Sequence, residues 1–201
     1  MKKTALAVFL IFLTGPGFAQ IPGYKTAVFA AGSFWSAEGA FDGLPGVMKT
    51  TVGFTGGSAP DPSYHTVTNG GTGHRQAVQV TYDPKKVTYR QLLARFFYSI
   101  DPLDQGGQFC DRGIHYTTAI FYGTETEREV AARVKLEMEN ELGRPLSTRI
   151  IAAAPFFPAE DFHQDYHLKQ SYKYKFYRGR CGHDKRLKEL WGKKAVVPEG
   201  E

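Results

Sequence analysis

The sequence predicts an α+β fold, a two-layer sandwich with helices packed on a mixed β-sheet and long glycine-rich loops between them. Three observations carry that expectation. Apolar strand-like runs are interleaved with amphipathic stretches of helical period along the chain. Glycine-rich segments too long for tight turns separate several of these runs. Hydrophobic residues at 42% and charged residues at 22% over 201 positions are enough to build and solvate one core.

The elements follow in order. Residues 1–19 read as a leader rather than as fold, with a basic "MKK" start, the apolar run "TALAVFLIFLTG" and a small-x-small ending at Ala19. The rest, 20–201, reads as a single domain with a C-terminal tail. Residues 25–31 form a buried strand, 36–41 begin a helix that ends near "DGLPG", and 47–55 alternate as a strand. The segment 58–75 is dense in turn formers and reads as a long loop. A strand at 77–82 stops at Asp83-Pro84, and Thr88 caps a helix over 89–100 with an apolar stripe of Leu92, Leu93, Phe96, Phe97 and Ile100. A second loop covers 101–114, and 115–123 is a strand. Thr124 opens a long helix through Leu142, with Val130, Val134 and Met138 at four-residue spacing. Residues 148–154 are a strand candidate, the segment after Pro158 is mainly helical, and "RCGHDKRLKELWG" adds a short helix.

Composition narrows the functional classes. Removing the leader takes away two lysines and lowers the formal charge from +5 to +3, too little to imply nucleic acid. The basic aromatic run "YKYKFYRGR" reads as a helix with its aromatic side packed down. After the leader no stretch is long and apolar enough to cross a membrane, so export, to a periplasmic location, is the expected address. Cys110 and Cys181 are the only cysteines. They cannot hold zinc by themselves and do not form a C-x-x-C pair, while export makes a disulfide between them chemically possible.

The stretch "FAAGSFWSAEGAF" looks like machinery. Ser33 stands where a strand turns into a helix, with Phe34 and Trp35 beside it as an apolar wall. A serine needs a base to become a nucleophile. A hydrolase using Ser33 with His74 or His115 would supply one, but the G-x-S-x-G elbow is missing. His163 and His167 have metal-ligand spacing without the glutamate of H-E-x-x-H, and "NGGTGH" is not followed by G-K-[ST]. These residues read as structural hydrogen-bonding and loop-ordering groups.

Five segments, in order, resemble the A-type peptide methionine sulfoxide reductases. "GSFWSAE" is similar to that family's G-C-F-W-x-x-E, and "GFTGG" to its G-Y-x-G-G. "YHTVTNGGTGHRQAV" fits its Y-x-x-V followed by T-G-H-x-E, "DPLDQGGQFCDRGIHYTT" its D-P then D-x-G-x-Q-Y-R-S, and "FFPAEDFHQDYH" its F-x-x-A-E-x-Y-H-Q-x-Y. The resemblance implies a ferredoxin-like sheet and the reduction of free or peptide-bound methionine-S-sulfoxide to methionine. It places the attacking cysteine at Ser33, the methyl-binding wall at Phe34 and Trp35, and the groups around the sulfoxide oxygen at Tyr64, Tyr116 and Gln76. Asp111 matches an aspartate near the thiol, and Cys181 or Cys110 is the candidate resolving thiol. No bound cofactor and no metal are implied. The implied partners are oxidised proteins or peptides and a thioredoxin-like or dithiol reductant.

The departures are chemical. Ser33 replaces the cysteine, and a hydroxyl cannot become a sulfenic acid. Gln76 replaces the family's acid, and an amide donates a hydrogen bond without delivering a proton. His115 and Thr117 replace a glutamine and an arginine. Three readings follow: a reductase with substituted nucleophile and acid, a catalytically silent protein that binds methionine sulfoxide, and a serine hydrolase. The first two require positions 33, 35, 64 and 116 to meet in space.

Overall fold

The computed structural model describes residues 22–197; the expected leader at 1–19 lies outside them. Along the chain the elements are β1 (Lys25–Ala30), α1 (Phe34–Phe41), β2 (Val47–Thr55), α2 (Tyr64–Thr68), β3 (Arg75–Tyr82) and α3 (Tyr89–Tyr98). There follow β4 (Gly107–Gln108), β5 (Asp111–Arg112), a 3-10 turn (Ile114–Tyr116), β6 (Ala119–Tyr122), α4 (Glu125–Leu142), β7 (Arg149–Ala152) and β8 (Phe157–Pro158). A second 3-10 turn (Asp161–His163), α5 (Tyr166–Lys169), α6 (Ser171–Arg180) and α7 (His183–Trp191) complete the described chain apart from a last 3-10 turn at Gly192–Lys194.

The main sheet has six strands in the order β7-β6-β1-β3-β2-β8. All its pairings are antiparallel except β6 with β7, which is parallel and bridged by α4. The sheet is therefore mixed, as expected. Its inner strands β6-β1-β3-β2, with α1 after β1 and α3 after β3, have the split βαβ arrangement of the ferredoxin-like folds. The core lies between this sheet and α1, α3, α4 and α7, around Phe29, Phe41, Val78, Val80, Phe96, Phe97, Ile120 and Leu187. Leu92, Leu93, Phe96 and Phe97 of α3 are fully buried, each contributing about 2 kcal/mol of apolar burial.

Local chemistry placed several boundaries well. Thr88 and Thr124 both form capping boxes, and Gly143 ends α4 in the left-handed conformation that a residue with a Cβ would resist. Other expectations need correction. The loop at 58–75 contains α2, because Ser63 accepts from the Thr66 amide while the Thr66 hydroxyl accepts from the Ser63 amide. The strand expected from 115 begins only at Ala119; the Thr117 hydroxyl bonds back to the Ile114 carbonyl at 2.7 Å and holds the preceding residues in the 3-10 turn. The loop at 101–114 carries the β4–β5 hairpin, and β8 was not foreseen, being two residues long with a proline at a sheet edge.

Candidate active site

Ser33 is positioned by the turn between β1 and α1. Gly32 has φ +87°, and a Cβ there would lie 2.6 Å from Cβ of Gln108, so both the backbone angle and the space demand glycine. Gln108 is itself pinned: its amide bonds the Asp101 N–H at 2.8 Å and the Asp101 carbonyl at 2.7 Å. Ser33 occupies the N-cap position of α1, where its carbonyl accepts from the Ser36 and Ala37 amides, yet its hydroxyl does not cap the helix. The hydroxyl lies instead within looser polar reach of the Tyr177 hydroxyl. Among the described residues no histidine bonds it. His74 accepts the Gly57 N–H on Nδ1 and meets the Ala59 carbonyl through Nε2 at 2.8 Å, which orders the loop.

An aromatic wall stands beside this hydroxyl. Trp35 stacks on Tyr166 with ring centroids 4.0 Å apart, lies 6.2 Å from Tyr64 in a stacked orientation, and meets Tyr177 edge-on at 6.1 Å. Its indole N–H donates to Nδ1 of the buried His163 at 3.1 Å. Burial lowers the His163 pKa, which keeps the ring neutral and Nδ1 free to accept. Phe34 is fully buried against Phe54, Tyr64 and His163, so it backs the wall and does not face the opening.

The polar end of the cup is made by β3, α2, the first 3-10 turn and α6. Gln76 is buried, and its Oε1 accepts the Phe34 backbone N–H at 3.1 Å. That donor fixes the orientation of the amide and leaves Nε2 inside without a partner at ordinary hydrogen-bond distance. The Tyr116 hydroxyl lies within looser polar reach of both Tyr64 and Gln76. Burial, together with the nearby Tyr64 and Asp111, pushes the Tyr116 phenol well above its ordinary value, so it remains a donor at neutral pH. Burial likewise raises Tyr64 and Tyr177. Tyr177 donates to Oδ2 of Asp111, whose own pKa is raised by burial despite that hydrogen bond.

Ser33, Trp35, Tyr64, Gln76, Tyr116 and Asp111 are thus brought together, with Phe34 one layer behind. Cys110 and Cys181 are joined in a disulfide with Cα atoms 5.1 Å apart, so neither is a free thiol in this structure. Of the other two residues marked as departures, His115 packs its ring 4.3 Å from that of Tyr116, and Thr117 faces away toward Arg75, whose Nε donates to it at 3.0 Å. Sequence reasoning missed Tyr177, Tyr166 and the role of His163. The signal within reach was Tyr177, one helical turn before Cys181 in a run read only as a packed aromatic face.

The arrangement can hold a group with a small apolar substituent and a strong acceptor oxygen, since it joins an aromatic wall to the buried, unsatisfied Nε2 of Gln76 and to neighbouring phenol hydroxyls. Comparison with known proteins agrees. Residues 25–195 match the family described as peptide methionine sulfoxide reductase. The chain is 44% identical over 186 residues to peptide methionine sulfoxide reductase MsrA 2 of Rhizobium meliloti, covering 92% of each protein. Methionine sulfoxide reductase A of Corynebacterium diphtheriae shares the fold with a TM-score of 0.68 and 31% identity, over 75% of this chain and 77% of that one. Mxr1 from Saccharomyces cerevisiae in reduced form gives a TM-score of 0.71 at 29% identity, over 74% and 87% of the two chains. Its complex with Trx2 shares the fold at a TM-score of 0.51 and 21% identity, over 75% and 91%.

Proposed function

The chain belongs to the peptide methionine sulfoxide reductase family, whose named members are oxidoreductases acting on sulfur, and from that premise we propose that it binds methionine-S-sulfoxide in peptides through the Ser33 cup without turning it over. The observation that carries this reading is the orphaned Nε2 of Gln76. A buried amide N–H without a partner costs roughly 1–3 kcal/mol, and a sulfoxide oxygen is a strong acceptor able to recover that cost. The neighbouring Tyr116 hydroxyl, kept protonated by its raised pKa, supplies a second donor. The S-methyl group rests on Trp35, held in place by His163 and Tyr166.

Reduction requires an attacking thiolate. In the family's reaction the thiol takes the sulfoxide oxygen and becomes a sulfenic acid, methionine is released, and a dithiol then returns the thiol with loss of water. Ser33 places a hydroxyl where the first of these steps begins, and Gln76 places an amide where a proton would be delivered. Ser33→Cys restores the first group and Gln76→Glu the second. With a nucleophile restored, a thioredoxin-like or small dithiol is the reductant. Residues 1–19 carry the basic, apolar and small-residue pattern of an export leader, so we assign the protein to the periplasm, where oxidised proteins are its partners.

Calorimetric titration with a peptide containing one methionine-S-sulfoxide tests the reading. Saturable binding is expected for the S epimer, with at least tenfold weaker binding of the R epimer and of the unoxidised peptide. The S33C variant with dithiothreitol should reduce the sulfoxide slowly, and S33C/Q76E faster. Absence of both binding by the native protein and turnover by the double variant overturns the proposal. Labelling of Ser33 by a fluorophosphonate would favour the hydrolase instead.

A further inference from the structure

A cleft of about 430 Å³ lies at the same end of β3 as the cup, lined in part by Arg75, Thr117, Thr118, Ser147 and Arg149, with Asp104 also at its wall. Arg75 is buried, at 4% exposure, and among the described residues the one hydrogen-bond partner of its guanidinium is the Thr117 hydroxyl. That hydroxyl spends its own hydrogen on the Ile114 carbonyl. Arg149, at the exposed start of β7, lies close enough for its charge to disfavour that of Arg75, adding to the effect of burial. Among the described residues neither arginine is in an ion pair with a carboxylate. Asp104 is committed elsewhere, to both terminal nitrogens of Arg112.

Two guanidiniums facing one cleft, one of them largely buried and without a carboxylate partner among the described residues, favour an anion there. A planar carboxylate matches the guanidinium fork and supplies the missing charge. Asp104 on the wall disfavours a dianion more than a single carboxylate. The other hydroxyls nearby are taken, since Ser147 donates to the Pro102 and Asp104 carbonyls and Thr118 pairs with Thr148. The free valence of the cleft is therefore its arginine N–H groups.

We propose that Arg75 and Arg149 form a carboxylate-binding pocket that engages an acidic group on the same polypeptide that presents its oxidised methionine to the cup. The pairing with the cup rests on the sulfoxide-binding reading above. Its basis is the strand. Arg75 and Gln76 are consecutive on β3, so their side chains leave opposite faces of the sheet, one to the cleft and one to the cup. Tyr116 and Thr117 divide in the same way. A peptide crossing this end of the sheet can reach both sites, gaining about 3.4 Å for each extended residue between them. The carboxylate can be an aspartate or glutamate side chain or a free C-terminus.

The test uses the nitrogen-15-labelled protein and two reporters, the Arg75 Nε–H and the Trp35 indole N–H resonances. The probes are peptides with a glutamate stepped from two to six residues from methionine, the same peptides with glutamine there, and neutral peptides ending in a free carboxylate or an amide, each unoxidised and as the S-sulfoxide. The glutamate peptides should move the Arg75 signal saturably even when unoxidised, whereas the glutamine, amidated peptides should not. If the free C-terminus moves it and the glutamate does not, the carboxylate source is the terminus. The glutamate sulfoxide should bind about tenfold tighter than its glutamine counterpart, and Arg149→Gln should erase that preference while the Trp35 response persists. An unmoved Arg75 signal with every carboxylate, or equal affinities for the glutamate and glutamine sulfoxides where the glutamate moves Arg75 and Trp35 responds, overturns the pocket. A silent Trp35 with every sulfoxide, beside a responding Arg75, removes the sulfoxide reading and the pairing while the carboxylate pocket stands.

Discussion

Tyr177 donates its hydroxyl hydrogen to Asp111, and that bond is flanked on both strands of chain by one disulfide. Cys110 immediately precedes Asp111, and the Cys181 amide donates to the Tyr177 carbonyl at 3.0 Å, one helical turn away. The covalent link therefore holds together the hairpin β4–β5 and the end of α6, which between them carry the Asp111–Tyr177 side of the cup.

Opening that link should weaken the fold and the site together. Cross-linking residues 71 apart contributes about 4 kcal/mol in the chain-entropy model. Urea unfolding of the native protein with and without dithiothreitol, and of Cys110→Ser/Cys181→Ser, should show a matching fall in midpoint. Sulfoxide-peptide affinity should drop as Tyr177 is released. An unchanged midpoint would contradict the structural role of the bond.

Replacing Gln76 distinguishes a donor from an acid. Gln76→Met keeps the length of the side chain and removes Nε2, so peptide binding should weaken by roughly 1–3 kcal/mol, or about 5- to 150-fold. Because an amide does not titrate, native binding should be flat across neutral pH at this position. In Gln76→Glu, burial raises the carboxyl pKa, and only the protonated form donates to the sulfoxide. Binding by that variant should be strong at low pH and fall as pH rises through the raised pKa, while native binding does not.

His167 predicts a pH term in stability. Burial lowers its pKa, but the Glu38 carboxylate 3.6 Å from Nδ1, with the charge of Asp42 and its hydrogen bond to Nε2 at 3.2 Å, overcomes that and leaves it raised above 6.5. A raised folded pKa means that the folded state binds the proton more tightly than the unfolded chain. The resulting stability is fully present below pH 6.5 and is lost as pH rises through the folded value. His167→Gln should flatten the difference in unfolding free energy measured at pH 5.5 and pH 8.5. An equally steep dependence in the variant would assign the term to other groups.

The wall depends on His163 as a hydrogen-bond acceptor. His163→Phe removes the partner of the Trp35 indole and leaves that N–H unsatisfied in a half-buried position, costing about 1–2 kcal/mol. Near-ultraviolet circular dichroism of Trp35 should lose intensity, and sulfoxide binding should weaken. His163→Gln, whose side-chain oxygen can still accept, should recover part of both signals, which a loss of packing alone would not allow.

By itself the sequence determined the local decisions. Apolar alternation drew β2 at Val47–Thr55, and threonine caps started α3 and α4, because strand period and cap hydrogen bonds are set by residues within a turn of one another. It also named most of the cup, since Ser33, Trp35, Tyr64, Gln76, Tyr116 and Asp111 lie in segments whose order resembles a known family. Tertiary structure decided what depends on distant pairs. The α2 turn in the first loop was hidden because its capping box uses Ser63 and Thr66 in place of the more familiar glutamate or glutamine. Tyr177 joined the site only when α6 packed against the hairpin, and Cys110 found Cys181 by the same approach. That the Gln76 amide nitrogen is left unsatisfied, and that Arg75 and Arg149 share a cleft without an ion pair to a carboxylate among the described residues, follow from the pairing of strands and turns far apart in the chain. A one-dimensional pattern states which donors and charges exist; only packing removes water from them and so gives each a reason to bind something else.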